Sequence, residues 1–517
     1  MRKLHKILAP AVIGIFALTG CGGGTQAAGS SELTLAVSSE PIGLDPAVAA
    51  NGNASAWFVD LAYASLLTLD ENGELAPGLA SSWEFTDTSN TQVRVTLQEG
   101  LTFADGTALT ASSVVDSIEY FKTGSGPSST YFKDLELEAT DDLNVVITSP
   151  EPNPLLPTLL TPKYMGGGVI SSAGLNSTET LNAATFGAGP YVLDTAATVS
   201  GDRYVYVPNE NYYKYDELDF DKITIRIIPN LTSQVQALKT GQIDVMQGDN
   251  SIMGEVEGVD NVGITTQPTL WNGLYFADRD GTLSPELADR KVRQALNYAV
   301  DREAIAAAAY GDYGRAETQP AVPGDSSHGY DEELSKYYSY DPAKAKELLA
   351  EAGYADGFTL SVPYKGQQAP STTMVQALSE QLKAVGVTLD LQPSTNTGEW
   401  VSKLVSQTHG AFQQDSSGRP LVLAAQMNWL PGGVLNPFNV DDPDIGAAYD
   451  ELIHASTEDQ EEVARDFMQM LVENAYTLPV VSADEIYLYD TEAVESVGFL
   501  GNTPKLSPID TWTRAGE

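Results

Sequence analysis

Few residues in this chain are of the types that do covalent or metal chemistry. Four histidines occur (His5, His328, His409 and His454) and one cysteine, Cys21, against 70 carboxylates. No His-Glu-x-x-His pair stands at the spacing that puts two imidazoles on one helix face around a zinc ion. No Gly-x-Ser-x-Gly turn presents a hydroxyl nucleophile. Close carboxylate pairs carry no weight, because 70 of them bring some together by chance. Gly166-Gly167-Gly168 has neither a helix start nor a following Lys-Ser/Thr, so it does not read as a phosphate cradle. No catalytic residue, metal or cofactor is expected. What the chain offers instead is recognition chemistry. Trp271 and Trp429 each present a broad face for stacking on a side chain, a sugar ring or an aromatic group, with core or hinge packing as the alternative use of either ring. Trp83 and Trp512 sit in strand and tail contexts and read as structural.

The elements that must position such residues are written plainly between Trp271 and Phe358. Val292, Ala295, Leu296 and Ala299 fall at helical spacing, with Arg290, Lys291, Arg293 and Asn297 left for other faces. Asp301 can cap a second helix, Arg302 to Tyr310, which Gly311 ends. Asp341-Pro342 opens a third helix, which Gly353 closes. Elsewhere, Gln92 to Gln98 alternates as a half-buried strand with Val93, Val95 and Leu97 inward, and Thr110 caps a helix whose inward face is Val114, Val115, Ile118 and Phe121. Further helices are expected over 232–240 and 374–384, with another starting at Trp400.

At 517 residues with 42% hydrophobic side chains, the chain is long enough for two or three cores. A formal charge of −42 repels phosphate backbones and anionic lipid headgroups, so binding to nucleic acid or to a membrane through charge is not expected. The N-terminus has its own message. Arg2, Lys3 and Lys6 precede an apolar run from Ile7 to Leu18, too short to span a bilayer and of the length of a signal-peptide core. It ends in Leu18-Thr19-Gly20-Cys21, which resembles the bacterial lipobox, where the thiol is lipidated and the chain is cut just before it. A two-chain lipid anchor holds a soluble body at a membrane stably.

Asp289 to Arg302 and Tyr340 to Tyr354 closely resemble two blocks of the extracellular solute-binding proteins of family 5, the receptors of oligopeptide, dipeptide and nickel ABC importers. Glu40 to Pro46, Leu75 to Phe121 and Gly187 to Leu193 resemble further blocks, Leu421 to Trp429 resembles the family's strand and loop that face the cleft, and Val463 to Asn474 and Leu478 to Leu488 resemble its last helix and strand, so the likeness covers nearly all of the mature chain. It implies a two-lobed α/β periplasmic-binding-protein-like fold (class II) with an extra α/β domain inserted in lobe 1. On this reading residues 1–20 are a signal peptide and 21–31 a lipid-anchored tether. Residues 32–65, 188–268 and 480–517 form lobe 1, 66–187 the inserted domain, and 269–479 lobe 2. The function implied is that of a monomeric receptor on the outer face of the cell membrane, anchored through Cys21, which closes two hinged lobes on a small solute and delivers it to permease subunits.

The segments that the family places at the cleft supply the expected ligand contacts: Asn51, Asn53 and Trp57 from lobe 1, Trp271 at the crossover, and Arg419, Asn428, Trp429 and Gly432 from lobe 2. Peptide receptors of the family hold the ligand's α-ammonium with an Asp shortly after a cleft tryptophan. Here the segment runs Trp429-Leu430-Pro431-Gly432-Gly433-Val434-Leu435-Asn436-Pro437, without a carboxylate. A buried cation without a counter-charge costs several kcal/mol, so either another acid serves or the ligand has no free amino terminus. An oligopeptide or dipeptide is the leading expectation, with an oligosaccharide or other solute next and a surface hydrolase or adhesin as distant alternatives. For a nickel complex, a further ligand of the family, His409 could serve, but one His beside Gln413 and Asp415 is a weak signal for metal.

Overall fold

The structure is a computed structural model that describes residues 31–49, 56–70, 72–126, 128–323, 329–456 and 458–516. Cys21, Asn51, Asn53 and His328 lie outside the described residues.

Two long strands, Val262–Phe276 and Thr477–Asp490, form the spine of the molecule. They pair antiparallel from Val262 opposite Asp490 to Tyr275 opposite Thr477. The pairing slips between Pro268 and Leu270, where proline has no N–H to give the ladder, and again between Asn272 and Gly273. At Gly273 a Cβ would lie 2.2 Å from the carbonyl oxygen of Leu478, so only glycine permits this approach. Each half of the spine carries its own neighbours. Residues 270–276 pair with Ala411–Ser417, whereas residues 486–489 pair with Val245–Gly248, which leads through Glu32–Val37 and Lys222–Ile227 to Arg203–Pro208 and Tyr191–Leu193. One nine-stranded mixed sheet therefore runs through both lobes.

A separate four-stranded antiparallel sheet is built from Ala80–Phe85, Gln92–Leu97, Asn144–Thr148 and Glu136–Ala139. Val93, Val95 and Leu97 are buried as their alternation requires, under the helix Ala111–Lys122. On that helix Val115 is only half-buried and Ser117 takes the inward position, its Oγ accepting from the N–H of Ile170 at 2.9 Å.

Lobe 2 packs the helices Arg290–Tyr298, Arg302–Tyr310, Pro342–Glu351 and Ala369–Lys383 around the parallel pair Phe358–Lys365 and Val387–Ser394. Asp289, Asp301 and Asp341 cap their helices by accepting from the N–H groups of Lys291, Ala304 and Lys344. The polar positions of the first helix are not all on the solvent side. Arg293 and Asn297 are buried, donating to the carbonyls of Leu287, Asn474 and Ala475 and of Arg293 and Thr477 respectively. Several helices start earlier than their apolar periodicity alone suggests. Thr397–Val405 begins at the Asn396 cap, Ala369–Lys383 at its proline-bearing first turn, and Gln460–Glu473 three residues before Val463. The stretch Leu421–Asn428 is an α-helix, not a strand and loop. Its apolar run is as short as a strand and periodicity could not separate the two, but Leu, Ala, Gln and Met are good helix formers and Pro420 precedes them.

Candidate functional site

Between the lobes lies a cavity of about 470 Å³ lined by residues from distant parts of the chain. Tyr131 and Lys163 come from the inserted region, Leu270 and Glu485 from the spine, Asp415 and Arg419 from the end of the strand Ala411–Ser417 and the turn after it, and Lys505 from the C-terminal segment. A second cavity of about 310 Å³ shares Leu270, Asp415 and Glu485 with the first, so the two are compartments of one cleft.

The strand Ala411–Ser417 sets the cleft's chemistry by alternation. Gln413 faces one side and is fully engaged: its Nε2 donates to Asn272 Oδ1 at 2.9 Å and to Ser371 Oγ at 3.3 Å, and its Oε1 accepts from Lys365 N at 3.0 Å. Asp415, two residues on, points the same way and forms an ion pair with Lys365, whose ammonium sits 4.8 Å from the centre of the Trp400 ring. Glu485 is 9% exposed and accepts a hydrogen bond from the side-chain amide of Gln247. Burial pushes its carboxyl up to about 7, against the lowering effect of that hydrogen bond. Lys505 is buried in the cleft wall, where it is held by Asp60 at 3.0 Å and the carbonyl of Pro162 at 2.7 Å. The Arg419 guanidinium rests on the Met427 thioether.

The residues singled out from the sequence divide. Trp271 is 3% exposed, lies against Tyr275 with ring centres 5.1 Å apart, and lines a third cavity, of about 190 Å³, inside lobe 2. Asn428 lines the same cavity and donates to Tyr275 Oη at 3.3 Å, while Arg419 borders both this cavity and the interlobe one. Trp57 is not among the lining of the interlobe cavities. It is buried in lobe 1, its ring 6.0 Å from that of Tyr487, beside a pocket of about 160 Å³. Trp429 is fully buried and packs on Phe467, so the stacking face expected of it is already covered. The helix that precedes it turns the ring inward. Gly432 occupies an exposed turn at φ +83°, its N–H donating to Asn439 Oδ1 at 2.7 Å, and lines none of these cavities.

Sequence reasoning missed Tyr131, Lys163 and Glu485. One signal was available: Asp484-Glu485 puts two charges into a strand that from Leu478 to Leu488 is otherwise apolar but for Ser482, and charge in a buried strand demands a reason. His409 sits beside Ser361 Oγ at 3.1 Å, and burial lowers its pKa. Among the described residues no group of three His, Cys, Asp or Glu side chains could hold a metal ion.

The profile of the bacterial extracellular solute-binding proteins, family 5 Middle, matches residues 74–433. The chain is 26% identical over 419 residues to the "Probable peptide ABC transporter periplasmic-binding protein y4tO" of Sinorhizobium fredii, covering 78% of this chain and 77% of that one. It is 28% identical over 407 residues to heme-binding protein A of Haemophilus influenzae, covering 73% and 72%. Its fold is that of the ABC transporter substrate binding protein CtaP of Listeria monocytogenes, with a TM-score of 0.76 at 23% identity over 93% of this chain and 98% of that one.

Proposed function

Since this chain belongs to the bacterial extracellular solute-binding proteins of family 5, and is by that membership a solute-binding receptor, we propose that its solute is a short peptide with a free amino terminus. The supporting observation is the charge inventory of the interlobe cavity, where Asp415 and Glu485 supply carboxylates and Lys163 and Arg419 supply cations. A zwitterionic ligand meets both signs there. The acid absent after Trp429 has a replacement in the cleft itself. The oligosaccharide alternative rested on Trp429, whose face Phe467 covers. The role proposed is non-catalytic: contacts to both lobes stabilise the closed form, with hinging about the spine strands, and the closed form is what the permease subunits recognise. In this reading residues 32–65, 188–268 and 480–517 act as lobe 1, 66–187 as the inserted domain and 269–479 as lobe 2, and the receptor works as a monomer.

Trialanine and N-acetyl-trialanine test the reading. Addition of trialanine is expected to reduce the radius of gyration measured by solution scattering, and acetylation to weaken binding by more than about tenfold, ~1.4 kcal/mol. Equal binding of the two peptides, or no compaction with either, overturns it. A sugar found bound to protein purified from its own host would do the same.

The localisation proposed is the outer face of the cell membrane, with the mature chain starting at lipidated Cys21. No helix of the described residues is long and apolar enough to cross a membrane. Cys21→Ala is expected to move the protein from the membrane fraction to the soluble fraction. Retention of that variant in salt-washed membranes would refute the anchor.

A further inference from the structure

We infer that Asn90, at the tip of a hairpin in the inserted domain, is a latch that holds the two lobes together from outside the ligand cleft and so sets how tightly a solute is kept without touching it. This rests on hinged closure of the lobes, not on the solute being a peptide.

Burial at a turn is the first sign. Asn90 lies between the strands Ala80–Phe85 and Gln92–Leu97, in a left-handed conformation at φ +54° that asparagine tolerates better than most residues. The inserted domain holds this turn in place by itself. The N–H of Thr86 donates to the carbonyl of Gln92 at 2.9 Å, that of Thr91 to Asp87 Oδ1 at 3.0 Å, and that of Asn153 to the carbonyl of Asn90 at 2.8 Å. A polar residue at a hairpin tip belongs in water, yet Asn90 is 6% exposed. Part of its cover comes from lobe 2, where its Nδ2 donates at 3.0 Å to the carbonyl of Ala455.

The acceptor explains how such a bond can open again. Ala455 ends the helix Pro443–His454, whose last carbonyls have no N–H of the helix to bond. Gln460, also of lobe 2, donates from its Nε2 to the carbonyls of Leu452 at 2.9 Å and Ala455 at 3.1 Å. When the lobes part, Ala455 keeps that donor and the amide of Asn90 returns to water, so no buried group is left alone.

Apolar packing across this face is incomplete, which gives a single directed bond its weight. A cavity of about 400 Å³ is lined by Trp83, Phe85 and Leu155 from the inserted domain and by Pro420, Val422 and Leu452 from lobe 2. Tyr131 Oη also reaches lobe 2, but its acceptor is the thioether of Met427 at 3.7 Å, a weak one. Asn250 donates across the lobes to the carbonyl of Ala309 at 3.2 Å, and it lines the second compartment of the cleft. Asn90 and Ala455 line neither compartment, so their bond adds the same increment to the closed form whatever the ligand is.

Two substitutions keep the turn and break the bond. Asn90→Gly accepts the left-handed backbone and removes the amide, and Asn90→Asp sets a carboxylate against the Ala455 carbonyl. Both are compared with the unmodified receptor by solution scattering without ligand, and by stopped-flow binding of trialanine and triserine. Each variant is expected to show a larger radius of gyration than the unmodified protein. Asn90→Gly should weaken both peptides by the same factor, about fivefold, through faster dissociation, and Asn90→Asp by about tenfold or more. A merely structural asparagine would lower the melting temperature and leave the radius of gyration and the dissociation rate where they were. Should Asn90→Asp fail to fold, Asn90→Gly decides alone. An unchanged radius of gyration, dissociation that is no faster, or a loss confined to one of the two peptides overturns the inference. If the variants expand and no peptide binds any of the three proteins, the latch stands and the peptide reading is what fails.

Discussion

The affinity of the receptor for a peptide with a free amino terminus is expected to follow a bell-shaped pH profile, with its maximum between pH 7 and 8 and a roughly fivefold loss by pH 6. The acid limb belongs to Glu485. Burial holds its carboxyl protonated up to about pH 7, and an α-ammonium beside it favours the charged form, so binding must expel a proton below that point. The alkaline limb belongs to the ligand, whose α-amino group loses its charge near pH ~7.8. The groups that share the cleft with Glu485 are Lys163, Asp415, Arg419 and Lys505 in one compartment and Asp249, Tyr310, Tyr313 and Asp484 in the other. Of these, Asp415, Lys505 and Asp484 are already paired, with Lys365, Asp60 and Arg315 respectively. Calorimetry in buffers of different ionisation enthalpy should register proton release at pH 6. Glu485→Gln is expected to flatten the acid limb and to cost about tenfold or more at the maximum, because a charge partner is lost. A wild-type acid limb that persists in Glu485→Gln would assign it to another group.

The same burial has a consequence for stability, with the opposite dependence. Between the ordinary carboxylate range and about pH 7 the native state binds more protons than the unfolded chain, through Glu485 and through Glu317, which burial also raises to about 7. The stability of the ligand-free protein therefore falls as pH rises through that window and levels off above it. Glu485→Gln removes part of that slope.

Replacement of Arg302 by alanine is expected to destabilise lobe 2 by about 3 kcal/mol or more, since several buried acceptors lose a donor at about 1–3 kcal/mol each. Arg302 is 4% exposed. Its Nε donates to the carbonyls of Glu317 at 3.0 Å and Pro479 at 2.8 Å, its Nη1 to the carbonyl of Asn297 at 3.0 Å, and its Nη2 to Asn297 Oδ1 at 2.7 Å. Burial lowers its pKa to about 10, which still leaves it charged at neutral pH. Without it, four acceptors around the spine strand at Pro479 lose their donor, and the helix Arg302–Tyr310 loses its tie to that strand. Denaturant unfolding of Arg302→Ala beside Arg290→Ala is the check. Arg290 is exposed and, among the described residues, its side chain bonds only to Asn474, at 3.2 Å, so its loss should stay within about 0.5 kcal/mol. Equal effects of the two would show that the buried network contributes little.

Local order was legible in the chain because it depends on near neighbours. Asp289, Asp301 and Asp341 cap helices through N–H groups two or three residues away, and Val93, Val95 and Leu97 alternate on one strand whatever lies above it. Such features are fixed by backbone geometry over a few residues, and together with the blocks around Asp289 and Tyr340 they determined the fold class. What only the tertiary structure decided is where polar side chains go. Arg293, Asn297 and Arg302 have the spacing of surface residues, yet they are buried, because the chain near residues 474–479 brings carbonyls to them. Leu421–Asn428 is apolar enough for a strand or a helix, and as a helix it carries Trp429 into the core against Phe467. The cleft shows this most clearly: Lys163, Asp415 and Glu485 are far apart in sequence and meet in one cavity. No spacing rule links them, because the strands Val262–Phe276 and Thr477–Asp490 bring them together by joining both lobes in one sheet.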